Sequence, residues 1–407
     1  MKIEKKKLSI IVLLAFGIIG SYGFPYMKGT FYNIMKEALN LTDRQLGNVW
    51  SVFGIIGMIS YILGGYVTDR FSPKKIIIIA LISSATLHIW VSFVPTYPVV
   101  LGISALMGIS AIFAFFPSSS KILSCLGDAD SSGSIFGIYY ALEGLGGMIV
   151  NFIGSRFYMI TDNEVQTFVV IVRLYAFLNV VAAYGIYRKF SDEVVLGEEQ
   201  SSISLKVLGE VLKKKQVWRI ALLILSNFVL YCSLTYITPY LTEVYDMPQN
   251  QVIFLGIIRV NILALLAGII FGKIVDYEQS AIKVIKKVMP VQSICLCVLI
   301  FNHIYLKNLI ITLILLMAFT FLATGVKVIS LVLVSEAEFS VTIIGTVIGV
   351  VSFIGFSPDA FLYPLAGWLQ EKYMSQSYIY LFLLCFIMTV VAEICCKKLN
   401  SDESIKV

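Results

Sequence analysis

Charged residues are scarce in this chain of 407 residues, and histidine is almost absent. Only 14% of the residues are Asp, Glu, Lys or Arg, and two are His, whereas soluble domains carry about 25% charged residues. The chain has no His-x-x-His pattern, no cysteine pair with metal-ligand spacing and no glycine-rich nucleotide loop. These absences argue against a soluble enzyme, and we expect no cofactor and no bound metal.

Apolar segments make up most of the chain. Hydrophobic residues account for 58% of it, and the mean hydropathy is +0.88. Many of the segments reach about 20 residues, which is the length that an α-helix needs to cross the hydrocarbon layer of a bilayer. The sequence therefore predicts an all-α membrane protein with twelve transmembrane helices, and it excludes nucleic acid as the reason for the net charge of +6.

The distribution of Lys and Arg predicts the orientation and the domains. Basic residues concentrate in alternate connecting segments, which places these segments and both termini in the cytoplasm by the positive-inside rule. The longest polar stretch predicts a cytoplasmic linker at 191–216, between an N-terminal half at 1–190 and a C-terminal half at 217–407. We expect a multi-pass protein of the cell (inner, cytoplasmic) membrane that works as a monomer.

A short basic loop follows the second predicted span. Gly65 precedes Asp69 by four residues, and Arg70 and Lys74 follow. A glycine at that position lets two helices approach closely, and the acid lies at a helix end, where it can pair with a cation or with another helix N-terminus. The spacing predicts an inner gate that closes between helices.

The same core recurs in the second half of the chain. Gly272-Lys-Ile-Val-Asp276 matches Gly65-Tyr-Val-Thr-Asp69 with Tyr277 in place of the arginine. This pair of loops resembles the signature loop of the major facilitator superfamily. The resemblance implies two six-helix pseudo-repeats around a central cavity, and transport by alternating access. The segment from Pro25 to Gly47 resembles the opening of oxalate/formate, organophosphate and nitrate permeases, the organic-anion branch of that superfamily.

Charges within apolar segments are costly and therefore point to function. Arg259 lies near the middle of span eight with Asn261 close by, and it matches the eighth-helix arginine of the nitrate and oxalate types. Arginine offers a planar, two-pronged donor to carboxylate or phosphate. The second-helix arginine of the nitrate type is missing, which favours a small organic or phosphorylated anion over nitrate. A structural ion pair remains the alternative role for Arg259.

Further candidates occur in both halves. Basic candidates at membrane depth outnumber the acidic ones, which favours an anionic substrate as the missing counter-charge. The remaining substrate-binding candidates are Lys327, Lys28, Tyr26, Tyr140 and Tyr236. Glu143 and Asp359 are candidates for carrying a proton or for forming ion pairs. Interfacial positions for the lysines and generic packing for the tyrosines remain open.

The leading hypothesis is a secondary active transporter of a small organic anion, a carboxylate or a phosphorylated compound, driven by proton coupling (symport or antiport) or by anion exchange. The alternative is a proton-driven multidrug or metabolite exporter of the same superfamily, for which Glu143 would carry the proton. An enzyme would need a polar catalytic cluster, and a transporter-like sensor would need a sizeable soluble domain. Neither is visible, so the expected partners are a small molecule, the lipid bilayer and, with proton coupling, a proton.

Overall fold

The computed structural model of the chain describes residues 5–70, 72–126, 132–190, 205–337, 339 and 341–401. All regular structure in these ranges is helical. The backbone groups into two units: one consists of Met1–Leu41 and Asn48–Ser202, and the other of Thr42–Gly47 and Ile203–Val407.

The helices up to residue 190 are interrupted at several points inside the predicted spans. In chain order they are α1 Lys5–Tyr26, α2 Lys28–Ala38, α3 Asp43–Arg70, α4 Pro73–Val91, α5 Tyr97–Gly108, the π-helix Ile109–Phe115, α6 Phe116–Leu126, α7 Ser132–Thr161 and α8 Glu164–Lys189.

The helices after residue 204 include two π-helical segments and two short 3-10 turns. In chain order they are α9 Leu205–Leu212, α10 Lys215–Ser233, the 3-10 turn Leu234–Tyr236, α11 Ile237–Tyr245, α12 Gln249–Ile257, the π-helix Ile258–Leu263, α13 Ala264–Glu278, α14 Ala281–Phe301, the π-helix Asn302–Leu306, α15 Leu309–Ile329, α16 Val332–Glu336, α17 Val341–Gly355, α18 Pro358–Tyr373, the 3-10 turn Met374–Gln376 and α19 Ser377–Ser401.

These helices account for the twelve predicted spans. Among the described residues, ten segments are long and apolar enough to cross a bilayer, and the last of them, Thr346–Leu399, contains 54 residues. That segment is two spans, because it holds α17 with α18 and then α19. The 28 residues of α3 form the twelfth. The prediction of an all-α, twelve-span membrane protein is confirmed.

Prolines and helix caps account for several of the interruptions. α1 ends one residue after Pro25, and α17 gives way to α18, which begins at Pro358. Proline supplies no N–H to the preceding turn, which explains the break before Pro358, whereas Pro25 lies inside α1. A capping box is present at the start of α3: the Thr42 N–H donates to Gln45 Oε1 at 3.0 Å, and the Gln45 N–H donates to Thr42 Oγ1 at 3.2 Å.

The core of the first unit depends on a close approach of α1 and α8. A Cβ atom on Gly20 would lie 2.4 Å from Asn179 Oδ1, and one on Gly23 would lie 2.4 Å from the Tyr175 ring. The neighbouring Ser21 hydroxyl donates to Asn179 Oδ1 at 3.2 Å. Glycines therefore bring the two helices together, and a buried hydrogen bond fixes their register.

The core of the second unit combines aliphatic packing with a helix cap supplied from another element. Val211, Ile224, Ile285 and Val347 are fully or almost fully buried in one cluster. At the start of α14, the Glu336 carboxylate accepts hydrogen bonds from the Ser280 hydroxyl at 3.2 Å and from the Ala281 N–H. A carboxylate at a helix N-terminus satisfies free N–H groups and complements the helix dipole.

A conventional cap begins α8 and gives a first prediction. The Asn163 side chain accepts a hydrogen bond from the Gln166 N–H at 2.9 Å. We expect Asn163→Ala to destabilise the protein by about 1 kcal/mol, because one N–H of the first turn loses its partner. Thermal unfolding of the purified protein measures the loss. Asn163→Asp keeps an acceptor oxygen and should unfold at the wild-type temperature, and a loss of equal size in both variants would contradict the capping role.

Candidate functional site

Arg259 is held in the interior of the second unit by an irregular part of two spans. It lies in the π-helix Ile258–Leu263 and is only 2% exposed. Its Nη1 donates to the Leu234 carbonyl oxygen, and its Nη2 donates to Thr238 Oγ1 at 3.3 Å. The Leu234 carbonyl oxygen also accepts the Ile237 N–H in the 3-10 turn after α10. A carbonyl oxygen has two lone pairs, so it can accept from the guanidinium as well.

Tyr231 brings Lys327 into the same cluster. The Lys327 ammonium lies 5.0 Å from the centroid of the Tyr231 ring, which is a cation–π distance. Tyr231 also interacts electrostatically with Arg259. No described carboxylate lies within ion-pair distance of the Lys327 ammonium, and the side chain is exposed. The second unit therefore presents two cations around one tyrosine.

The ring of Tyr231 is itself positioned by aromatic packing. It stacks on Phe228 with a centroid distance of 5.7 Å, and Phe228 contacts Phe356 edge to face at 4.9 Å. Aromatic pairs of these geometries contribute about 0.5–1.5 kcal/mol beyond the area that they bury. A ring fixed on one side can act as a rigid platform for the flexible lysine on the other.

Two predicted residues of the second unit have structural hydrogen bonds instead of open donors. Asn261 donates from Nδ2 to the Ile257 carbonyl oxygen of its own helix at 3.1 Å. The Tyr236 hydroxyl donates to the Tyr363 carbonyl oxygen at 3.1 Å, and Tyr236 is 2% exposed. Asn261 lies two residues after Arg259, and Tyr236 lies between Leu234 and Thr238, which Arg259 contacts. The described hydrogen bonds of both side chains hold the fold.

Lys28 lies in an aromatic cluster of the first unit. Its ammonium is 5.4 Å from the centroid of the Tyr26 ring and 5.2 Å from that of Trp50. Lys28 is 7% exposed, whereas Tyr26 is 43% exposed. Desolvated cation–π contacts stabilise by about 2 kcal/mol or more. The break between α1 and α2 places this lysine at the start of a new helix, so that it is buried between rings.

The acidic candidates occupy different surroundings. Glu143 on α7 interacts electrostatically with Tyr139 and Tyr140, whose rings are 5.1 Å apart. Tyr140 is 48% exposed. Asp359 lies in the first turn of α18, and its Oδ1 accepts a weak hydrogen bond from the Cys232 thiol at 3.4 Å. The structure thus places Glu143 among tyrosines in the first unit and Asp359 in the second unit.

The residues of the predicted inner gate are described in part. The Asp69 and Arg70 side chains and the surroundings of Gly65 lie outside the described part of the chain. The Lys74 ammonium is 5.8 Å from the centroid of the Tyr187 ring.

In the second copy of the gate motif, a Cβ atom on Gly272 would meet open space. The Asp276 side chain is exposed. The backbone carbonyl oxygen of Asp276 accepts a hydrogen bond from the Gln279 side-chain amide. No close contact of Gly272 is described that would require a glycine there.

Sequence reasoning missed residues that complete both clusters. Trp50 and Phe53 are 1% and 4% exposed, and Phe53 packs edge to face with Tyr22 and Tyr26. Thr238, which contacts Arg259, was also missed. The available signal was the spacing of Trp50 and Phe53, because residues three apart lie on the same face of a helix.

Comparison with known proteins identifies the family. The sequence profile described as "Major Facilitator Superfamily" matches residues 14–355. The chain belongs to the Major Facilitator Superfamily. It is therefore a multi-pass membrane transporter rather than an enzyme. This confirms the prediction of a membrane transporter and the prediction that the chain is not an enzyme.

A curated relative spans nearly the whole chain. The inner membrane protein YqcE of Escherichia coli (strain K12) is 28% identical over 370 residues, which cover 89% of this chain and 87% of that protein. A crystal structure of the nucleoside transporter NupG (D323A mutant) has a TM-score of 0.73 at 16% identity and covers 98% of this chain and 99% of that one. This likeness shows the fold.

Two shorter matches involve proteins with different substrates in their names. The probable sulfoacetate transporter SauU of Cupriavidus necator is 28% identical over 116 residues, 28% of this chain and 27% of that protein. The multidrug resistance protein MdtG of Klebsiella pneumoniae is 31% identical over 147 residues, 36% of this chain and 34% of that protein.

Proposed function

We propose that this superfamily member transports a small organic anion, a carboxylate or a phosphorylated compound, by alternating access. The observation that carries the proposal is the cluster of Arg259, Tyr231 and Lys327. A buried guanidinium and an exposed ammonium share one aromatic side chain. An anion arriving beside two cations forms charge-assisted hydrogen bonds, which are roughly twice as strong as neutral ones.

The placement of Lys28 supports the same charge preference in the first unit. Burying the Lys28 ammonium costs desolvation energy, and the Tyr26 and Trp50 rings compensate in part. The partial match to a probable sulfoacetate transporter is consistent with an anionic substrate. Uptake would be driven by a proton on Glu143 or Asp359, or by exchange against a second anion.

A proton-driven exporter of drugs or metabolites is the second candidate. Glu143 is an acid at the middle of a span, close to the exposed ring of Tyr140. The partial match to a multidrug resistance protein favours this candidate. It predicts cationic or neutral apolar substrates, because an ionised Glu143 would attract positive charge.

Transport by the purified protein in proteoliposomes distinguishes these candidates. We expect accumulation of radiolabelled carboxylates or phosphate esters and no accumulation of lipophilic cations. Lys327→Gln should reduce anion uptake about tenfold or more, since the cationic end of the cluster is lost. Lys307→Gln removes an exposed charge after the π-helix Asn302–Leu306 and is the matched control. Cation transport that survives Lys327→Gln would overturn the anion proposal and support the exporter.

A further inference from the structure

The α9–α10 elbow joins a polar chain segment to the first span of the second unit. α9 ends at Leu212, and α10 begins at Lys215. The elbow is closed by the Trp218 indole, whose Nε1 donates to the Leu212 carbonyl oxygen at 2.8 Å. Val211 anchors α9 in the core and is fully buried. The elbow is therefore a fixed element of the second unit.

The outer surface of this elbow combines apolar and basic side chains. Leu212 is 40% exposed and Trp218 is 44% exposed, although each directly follows a fully buried valine, Val211 or Val217. The three lysines between them, Lys213, Lys214 and Lys215, are all exposed. Tryptophan beside lysine is the composition of segments at the membrane–water interface.

The C-terminal end of α19 adds further positive charge to the same place. Arg219 Nη1 donates to the Lys398 carbonyl oxygen at 3.3 Å, which places α10 beside the end of α19. The thiol of Cys395 interacts electrostatically with both Arg219 and Lys398. We define the elbow patch by its cations. These are Lys213, Lys214, Lys215, Arg219, Lys397 and Lys398.

Acidic groups near the elbow patch are few. Glu210 on α9 is exposed and offers one negative charge. Glu393 on α19 accepts a hydrogen bond from the Ser293 hydroxyl at 3.5 Å, on the side of α19 that packs against α14. One exposed carboxylate therefore faces six basic side chains in the described part of this surface.

The height of the elbow patch matches lipid headgroups. The apolar segment Lys215–Tyr245 begins at the elbow, and the apolar segment Thr346–Leu399 ends at the other side of the patch. Its cations consequently lie where hydrocarbon gives way to water. Clusters of Lys and Arg next to a span attract anionic lipids, and the exposed Leu212 and Trp218 can contact the glycerol and upper acyl chain.

We propose that the elbow patch binds the phosphate headgroup of an anionic phospholipid. The bound lipid would hold α9 and the start of α10 at the membrane surface, independently of the transported solute. The same phosphate chemistry could come from free phosphate in solution, but only a lipid would use the exposed apolar side chains. Free phosphate would contact only the cations of the elbow patch and not its apolar side chains.

Lipid binding to the purified full chain tests the proposal. Native mass spectrometry counts bound dioleoyl phosphatidylglycerol, and thermal unfolding in mixed micelles gives its affinity. We expect phosphatidylglycerol to bind and raise the unfolding temperature, whereas phosphatidylcholine and inorganic phosphate at the same concentration do not. The triple variant Lys213→Gln, Lys214→Gln, Lys215→Gln should bind phosphatidylglycerol about a hundredfold more weakly.

Two further variants separate the patch from general charge effects. Replacing the same three lysines by arginine keeps the charge and should keep binding. The control variant Lys75→Gln, Arg188→Gln, Lys189→Gln removes three exposed charges from the first unit and should also keep it. Equal weakening in this control, full binding by the glutamine variant, or an equal response to inorganic phosphate would overturn the proposal. If the glutamine variant fails to fold, Lys214→Gln alone gives the same comparison with a smaller loss.

Discussion

Arg259→Ala should reduce uptake of the proposed anionic substrate at least about a hundredfold. Removing one partner of a buried charge-assisted contact costs about 2–5 kcal/mol, and a loss of 2.7 kcal/mol corresponds to a hundredfold. Arg259→Lys keeps the charge but loses the planar donor that reaches both Leu234 and Thr238, so we expect an intermediate rate. Initial rates in proteoliposomes measure both effects.

The control for Arg259 is an arginine outside the cluster. Arg173 on α8 is exposed, and its Nε donates to the Ser92 hydroxyl at 3.3 Å. Arg173→Ala should transport at nearly the wild-type rate. Thermal unfolding of each variant shows whether the protein is folded, and the lysine variant serves if the alanine variant is not. Wild-type uptake by folded Arg259→Ala would remove this residue from the binding site.

Gly20→Ala should destabilise the first unit strongly, although alanine is the better helix former. The added methyl group would lie 2.4 Å from Asn179 Oδ1 and 2.8 Å from the Tyr175 carbonyl oxygen. A backbone atom cannot rotate away, so α1 must move off α8. Overpacking of this kind costs about 1–3 kcal/mol. A lower unfolding temperature, measured on purified protein, is the expected result.

The same substitution at Gly102 is a control with the opposite sign. A Cβ atom on Gly102 would meet nothing within 4 Å. Because alanine is more favourable than glycine in a helix by about 1 kcal/mol, Gly102→Ala should be neutral or stabilising. Equal unfolding temperatures for the two variants would mean that the contact between α1 and α8 does not depend on Gly20.

The fold was predictable because long apolar segments identify membrane-spanning helices in a sequence. Apolar length predicted the spans, and the structure shows a break before Pro358 and a cap formed by Thr42 with Gln45. These features depend on residues close in sequence. The recurrence of Gly65-x-x-x-Asp69 predicted the family, which the profile match shows.

The candidate site was predictable only in its charges. Arg259 stood out because a cation within an apolar run is costly. Its partners did not stand out, because Leu234 and Thr238 are 25 and 21 residues away. The Tyr236 hydroxyl bonds a carbonyl oxygen 127 residues away. No local pattern specifies such tertiary contacts, so the sequence could name Tyr236 but not assign its hydroxyl to Tyr363.

The π-helix that carries Arg259 gives span eight some freedom of length. A π turn holds one more residue than the α turn it replaces, so Ile258–Leu263 contains a surplus residue. Closing this turn into a regular α-helix would rotate α13 by about 100° relative to α12, because the extra residue would then take up one α-helical step. The π-helix therefore sets which face of α12 lies in line with which face of α13. Arg259 takes its direction from the turn that fixes this alignment.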